Sequence, residues 1–120
     1  MKAGSAIESL VQLCAIPSVS RAEDVVATWV GDWLTSVGLH VVRQGNNVWC
    51  EMGDRARPRL LLNSHLDTIP PGSGWTGDPW TPRRCNGRIT ALGANDAKGC
   101  VCAMLHAVLG LHAQMHEGQP

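Results

Sequence analysis

The stretch "LLLNSHLDTIP", residues 60–70, joins an unbroken apolar run to a histidine and to an aspartate two positions later. Three successive leucines without polar alternation are typical of a strand that is covered on both faces within an α/β sheet. We therefore predict a buried strand over residues 59–64. It ends just before His65 and Asp67, so both side chains are expected at a strand end.

Composition bounds the class of protein. The chain has 120 residues, of which 44% are hydrophobic and 17% charged, as expected for one globular core. No apolar run reaches the ~18 residues of a membrane span, and the first residues lack a signal-peptide core. We therefore predict a cytoplasmic protein without a membrane partner. Ten Lys plus Arg offset ten Asp plus Glu, and the absence of a concentrated basic face argues against nucleic-acid binding.

Two helices are predicted at the beginning of the chain. Ser5 and Glu8 form a capping-box pattern, and Pro17 sets the end of the first helix at about residue 16. Ser20 and Glu23 repeat the pattern and predict a second helix. Its apolar face would be formed by Val26, Trp29, Val30, Trp33, Leu34 and Val37.

The rest of the chain alternates strands with a helix. Residues 39–43 and 48–52 flank a Gly-Asn turn and predict a hairpin. A long loop over residues 68–87 precedes a short strand at residues 88–92, and the last helix is expected over residues 98–115. This alternation predicts an α/β fold, a three-layer sheet flanked by helices. The five cysteines form no CxxC pair, and we expect reduced thiols.

Three residues are candidates for chemistry. His65 and Asp67 point to the same side of an extended backbone, a spacing that suits a zinc ligand and the carboxylate that orients it. The same H-x-D pattern also fits a polar strand end that faces solvent. Asp96 lies between a short strand and a helix, where a carboxylate can be either a ligand or a helix cap.

Ordered motifs make the chemical interpretation more specific. They are Leu62–Pro71, then Trp75 with Asp78-Pro79-Trp80, then Leu92–Gly99, and more weakly Leu10–Ser20. Together they resemble the acetylornithine deacetylase and succinyl-diaminopimelate desuccinylase family of zinc amidohydrolases. The resemblance implies a zinc-peptidase-like catalytic domain and a small N-acyl amino acid as substrate.

The resemblance also implies site roles. His65 would ligate one zinc ion, Asp96 would bridge two zinc ions, and Asp67 would be the catalytic residue that orients His65. Cobalt could substitute for zinc. The peptide bond between Asp96 and Ala97 would be cis. Metal-assisted hydrolysis of an amide is the reaction that such a site supports.

The substrate is less closely defined. Residues 63–65 and 93–97 look more like the acetylornithine deacetylase branch, which acts in arginine biosynthesis. Succinyl-diaminopimelate desuccinylase, or a dipeptidase or carboxypeptidase of the same family, is the alternative. Ala91-Leu92 and Ala97 depart from the pattern of many relatives, which have Gly-Arg and Met at these places.

The family's consecutive glutamate pair is missing, because Glu117 is isolated. We expect His106, His112 and His116 to be surface or helix-terminus residues. Residues 1–120 thus resemble the N-terminal part of a catalytic domain. The remaining catalytic strands and a domain that forms a homodimer would be absent, and the 120 residues alone would be inactive. A non-catalytic remnant or an interaction module is the alternative from another class.

Overall fold

A computed structural model describes residues 4–117 of the chain. The first and last three residues, on which the predictions about a signal peptide and the chain end partly rest, lie outside this range. The helices are α1 Ala6–Cys14, α2 Asp24–Ser36 and α3 Gly99–Glu117, and the strands are β1 Val41–Gln44, β2 Asn47–Cys50, β3 Arg83–Cys85 and β4 Arg88–Thr90. None of the helices in this range is long and apolar enough to cross a membrane.

The start of α1 follows the predicted capping box. The Ser5 hydroxyl accepts a hydrogen bond from the Glu8 backbone N–H at 3.3 Å, and the Glu8 carboxylate accepts one from the Ser5 N–H at 2.7 Å. These bonds satisfy two N–H groups that have no partner inside the helix. The helix ends at Cys14, slightly earlier than predicted.

The second predicted capping box is wrong. Helix α2 begins at Asp24, its cap position is Glu23, and no side chain caps it. Ser20 is held elsewhere, because the backbone around Val19 pairs in parallel with Thr68. The Ser20 N–H donates to the Thr68 carbonyl at 3.0 Å. This pairing removes Ser20 from the helix and turns its hydroxyl towards Asp67.

The hydrophobic core lies where the three helices and the first hairpin meet. The apolar face of α2 supplies four of its nine buried members, more than any other element, as its periodicity predicts. The buried members are Leu13, Val26, Val30, Trp33, Leu34, Leu39, Val101, Cys102 and Leu105.

His106 corrects one prediction. Its Nε2 atom lies 2.9 Å from the Ser9 hydroxyl, and its ring packs at a tilt against Trp33 with 5.3 Å between ring centroids. His106 is therefore a half-buried contact between α1 and α3 and not a surface residue. His116 is exposed and His112 partly buried near the end of α3, as predicted for residues at a helix terminus.

Two antiparallel hairpins supply the described strands. β1 and β2 form the predicted first hairpin, in which Val42 faces Trp49. β3 and β4 form a second hairpin around Asn86-Gly87. β3 falls within the predicted loop and was missed. Its three residues are all exposed and lack the apolar pattern of a strand.

The predicted strand over residues 59–64 is not formed. Residues 59–66 have no regular secondary structure and no ladder partner, and Leu60 and Leu61 are each 84% exposed. A strand is stabilised by hydrogen bonds to a neighbour, and no strand between residues 4 and 117 lies beside this segment. The observed architecture is therefore a mixture of helices and small antiparallel sheets, compatible with part of a larger α/β domain.

Candidate metal centre

His65 lies on the irregular segment that follows the leucine run. The Thr68 N–H donates to the Ser18 carbonyl at 2.8 Å, and the Ser18 hydroxyl donates to the Leu66 carbonyl at 2.9 Å. These bonds fix the backbone just beyond His65. The Nδ1 atom of His65 lies 3.1 Å from both the carbonyl and the Oδ1 atom of Asp67, so the Nδ1–H group has a defined acceptor.

Asp96 reaches the same place from the turn Ala94–Lys98, which precedes α3. Asp96 has non-helical backbone angles (φ −128°, ψ 95°), and the bond to Ala97 is cis, which confirms the expectation from the resemblance. The Oδ1 atom of Asp96 lies 2.9 Å from the Nε2 atom of His65. The three residues singled out in the sequence thus form one connected cluster.

Gly93 permits the close approach of the two segments. Its φ of +79° lies in the left-handed region, and a Cβ atom built there would stand 2.6 Å from the Thr68 Cγ2 atom. Any larger residue would push the turn that carries Asp96 away from the segment that carries His65. Glycine alone satisfies both the backbone angle and the lack of space.

Lys98, the last residue of the turn that carries Asp96, stabilises the site through buried contacts. Its side chain is buried, with 1% of the residue exposed, and its Nζ atom donates to the Ile16 carbonyl at 2.7 Å. The Trp80 ring lies 5.4 Å from the same nitrogen, a distance suited to a cation–π contact. Lys98 thereby connects the beginning of α3 to the residues that follow α1.

The surroundings shift the pKa values of two site residues. Desolvation, the largest influence on His65, lowers its pKa, but hydrogen bonds to Asp96 and Asp67 outweigh it and raise the pKa above its usual value. The hydrogen bond from the Ser20 hydroxyl is the main reason that the pKa of Asp67 is lowered, and His65 adds to this effect. Asp67 therefore stays an ionised acceptor for the Nδ1–H of His65.

A cavity of about 330 Å³ opens beside the cluster. His65, Asp67 and Asp96 line its polar side, while Ile69 and Trp75 contribute an apolar wall. From the sequence alone, Trp75 and Trp80 could wall a cleft or pack the proline-rich loop, and packing was the favoured role. Trp75 lines the cavity, whereas Trp80 packs over Lys98.

The cluster fits part of a zinc site. An imidazole nitrogen and a carboxylate oxygen converge, both of which zinc binds, and Asp67 stands behind the imidazole as such sites require. The side chains of His65 and Asp96 are 49% and 86% exposed, which leaves room for further ligands. Between residues 4 and 117, however, no third His, Cys, Asp or Glu is placed to bind the same metal ion.

The sequence also matches the model of a known protein family. The model of the peptidase family M20/M25/M40 matches residues 61–119, the part of the chain that contains His65, Asp67 and Asp96. The match does not include residues 10–20, so their resemblance to the family can be judged only from individual relatives.

Those relatives extend the similarity over most of the chain. A succinyl-diaminopimelate desuccinylase of Anaplasma marginale is 27% identical over 92% of the chain and 31% of its own length. An N-acetyl-L-citrulline deacetylase of Xanthomonas campestris is 31% identical over 76% of the chain and 25% of its own length. Another succinyl-diaminopimelate desuccinylase, from Xylella fastidiosa, is 43% identical over 51% of the chain and 16% of its own length.

The chain spans about a third or less of the length of these curated relatives. The segment that the family model matches holds Leu61 and Leu62 of the leucine run, the His65 and Asp67 pair and the turn with Asp96. The geometry, the family match and the relatives agree with one another: this chain belongs to the peptidase family M20/M25/M40.

Proposed function

We propose that the complete protein to which this chain belongs is a zinc-dependent deacylase that hydrolyses the amide bond of a small N-acyl amino acid. The observation that carries the proposal is the convergence of His65 Nε2 and Asp96 Oδ1, 2.9 Å apart, at the edge of an open cavity. The family match and the names of the relatives support a hydrolytic reaction of this kind.

His65 and Asp96 would hold the metal. Bound zinc would supply Lewis acidity and a water whose pKa falls towards ~7. Asp67 accepts the Nδ1–H of His65 and fixes the ring orientation; in the neutral ring, Nε2 would then offer its lone pair to the metal in place of the present hydrogen bond to Asp96. The carboxylate of Asp96 offers two oxygens, as the bridging role implied by the resemblance requires.

The cavity would orient the substrate. Ile69 and Trp75 place an apolar surface next to the polar cluster, where the acyl group of a substrate could lie against it. Binding part of the substrate on such a surface positions its carbonyl for attack and excludes water from that side. The polar cluster then faces the amide bond.

The site needs residues from outside the described part of the chain. Zinc sites normally use three or four protein ligands, and a proton must pass from the nucleophile to the departing amine through a general base. We expect both from the rest of the complete protein, together with a homodimer interface. The isolated 120 residues should therefore show no useful turnover.

Two substrates are candidates. The residues of the Asn63–His65 and Gly93–Ala97 motifs favour N-acetyl-L-ornithine, which would place the protein in arginine biosynthesis. The majority of the similar relatives are named succinyl-diaminopimelate desuccinylases, which favours N-succinyl-diaminopimelate instead. Measuring kcat/KM for both substrates on the complete protein decides between them, and N-acetyl-L-citrulline belongs in the same comparison because one relative bears that name.

His65→Ala tests the proposal itself. Loss of the partner behind a ligand already costs ~10- to 100-fold in affinity or activity, so loss of the ligand should lower zinc-dependent deacylation by more than ~100-fold. His116→Ala, which removes an exposed histidine at the end of α3, is the control and should retain activity. Deacylation at the wild-type rate in His65→Ala would refute the proposal.

The coding DNA beyond Pro120 gives a prior check. An uninterrupted reading frame with a Glu-Glu pair supports the deacylase, whereas an immediate stop codon favours the non-catalytic alternative.

A further inference from the structure

We propose that Ser20 is a positioning residue of the metal centre, because its hydroxyl holds the carboxylate of Asp67 in the orientation that Asp67 needs to hold His65. The link to metal binding rests on the proposed function. The hydrogen bonds themselves do not depend on it.

The two oxygens of Asp67 have different partners. Oδ2 accepts a hydrogen bond from the Ser20 hydroxyl, while Oδ1 lies 3.1 Å from the Nδ1 atom of His65. The terminal torsion of an aspartate is broad and is not fixed by its own rotamer preference. A donor on Oδ2 therefore restricts the plane of the carboxylate and, through Oδ1, the orientation of the His65 ring.

The backbone places Ser20 for this contact. The Ser20 N–H donates to the Thr68 carbonyl, and the Thr68 N–H donates to the Ser18 carbonyl. Residues 18–20 and 66–68 are thereby held as a short parallel pair, with Val19 opposite Thr68. The serine hydroxyl and the carboxylate meet on the same side of this pair.

Local sequence preference is overruled at this point. Ser20 and Glu23 form a capping pattern, yet Ser20 does not cap α2, and Arg21 adopts a positive φ of 73°, which is uncommon for a residue other than glycine. Departures of this kind from local preference are expected at functional sites. The Ser20 hydroxyl donates to Asp67 instead, and α2 has no side-chain cap.

Ser18 offers a matched control on the same segment. Ser18 is buried, and its hydroxyl donates to the Leu66 carbonyl and not to the Asp67 carboxylate. Ser18→Ala therefore loosens the parallel pair without removing the donor on Oδ2. Ser20→Ala removes that donor, and Ser20→Thr keeps a hydroxyl at the same place.

The first measurement needs no metal. In ¹⁵N-edited NMR of the 120-residue chain, the Nδ1–H proton of His65 should exchange slowly with solvent, because it is donated to a fixed acceptor. Ser20→Ala should accelerate this exchange, and Ser20→Thr should restore the wild-type rate. Ser18→Ala should leave the rate near wild type even if urea unfolding shows a loss of stability.

The second measurement is zinc affinity of the complete protein, by competition with a chromophoric chelator. Ser20→Ala should weaken binding by about 3- to 10-fold, less than the ~10- to 100-fold expected for loss of the carboxylate itself, and Ser20→Thr should rescue it. Unchanged exchange of the His65 proton in Ser20→Ala would overturn the positioning role. If the proton responds as expected but His65→Ala does not affect zinc binding, the proposed function fails and the positioning role stands.

Discussion

The Nε2 atom of His65 lies 2.9 Å from the Oδ1 atom of Asp96, although 31 positions separate the two residues in the sequence. Two different segments carry them: the segment that is paired to residues 18–20 through Thr68, and the turn that begins at Gly93. The contact therefore depends on how closely these segments approach, and several variants should disturb it in distinguishable ways.

Gly93→Ala should destabilise the fold more than Gly87→Ala. Both glycines have positive φ, +79° and +73°, so each alanine costs about 1–2 kcal/mol for a left-handed conformation. At Gly93 the new methyl group would also meet the Thr68 side chain, and such overpacking adds about 1–3 kcal/mol. No atom lies within 4 Å of the corresponding position at Gly87. Urea unfolding of both variants measures the difference, and equal losses would show that Thr68 yields without cost.

Lys98 should contribute to the stability of the fold through its buried aliphatic stem as well as through its charge. Lys98→Ala removes both and should lower the free energy of unfolding by about 2–5 kcal/mol, as for other large-to-alanine changes in cores. Lys98→Met keeps most of the stem beside Trp80 and should be about 2 kcal/mol more stable than the alanine variant. Chemical denaturation gives both values. Alanine and methionine variants of equal stability would contradict a packing role for the stem.

Trp75 should affect substrate binding and not metal binding. Trp75→Ala in the complete protein removes part of the apolar cavity wall and should raise KM by about 10-fold, the effect of even one apolar group in a specificity pocket. Zinc affinity should stay at the wild-type value, because Trp75 contributes an apolar surface to the cavity and no metal ligand. Trp49→Ala is the control, since Trp49 is also partly exposed but lies on β2, outside this cavity. An unchanged KM in Trp75→Ala would remove this residue from the substrate site.

The cysteines should react in the order of their exposure. Cys85 and Cys100 are exposed, whereas burial raises the pKa of the Cys14 and Cys102 thiols and so lowers their thiolate fraction. The thiolate is the nucleophile in alkylation. A brief iodoacetamide pulse at pH 8, followed by peptide mass spectrometry, should label the two exposed thiols first, and urea should expose the rest. Labelling of Cys14 as fast as Cys100 would argue against the packing of α1 on α3.

Local patterns predicted the local structure well. The capping box at Ser5, the apolar face of α2 and the first hairpin all follow from spacing alone. The cis bond after Asp96 was expected only from the resemblance, because an alanine at the next position gives no local signal for a cis bond. The features that depend on residues close together in the sequence were thus the easiest to predict.

Features that depend on distant partners were harder to predict. Ser20 has the pattern of a helix cap, but Thr68 and Asp67, nearly 50 positions away, hold it elsewhere. His106 was expected to be a surface residue of the last helix, yet it bonds to Ser9 on another helix. The leucines of residues 60–62 have the composition of a buried strand, but burial requires neighbouring strands that residues 4–117 do not supply.

The central claim is that His65 and Asp96 form the chain's share of a zinc site. The most direct test is a zinc titration of the 120-residue chain followed by ¹⁵N NMR of its histidine rings. It is best done in a His116→Ala background, because the rings of His112 and His116 lie 4.4 Å apart and could chelate zinc by themselves. The Nε2 resonance of His65 should shift and approach saturation only at high zinc concentration, since two ligands are fewer than the three or four of a normal site. Asp96→Asn should weaken the shift further. A His65 ring that does not respond to excess zinc would contradict the claim, and tight binding of two zinc ions would contradict the inference that the remaining ligands lie outside this chain.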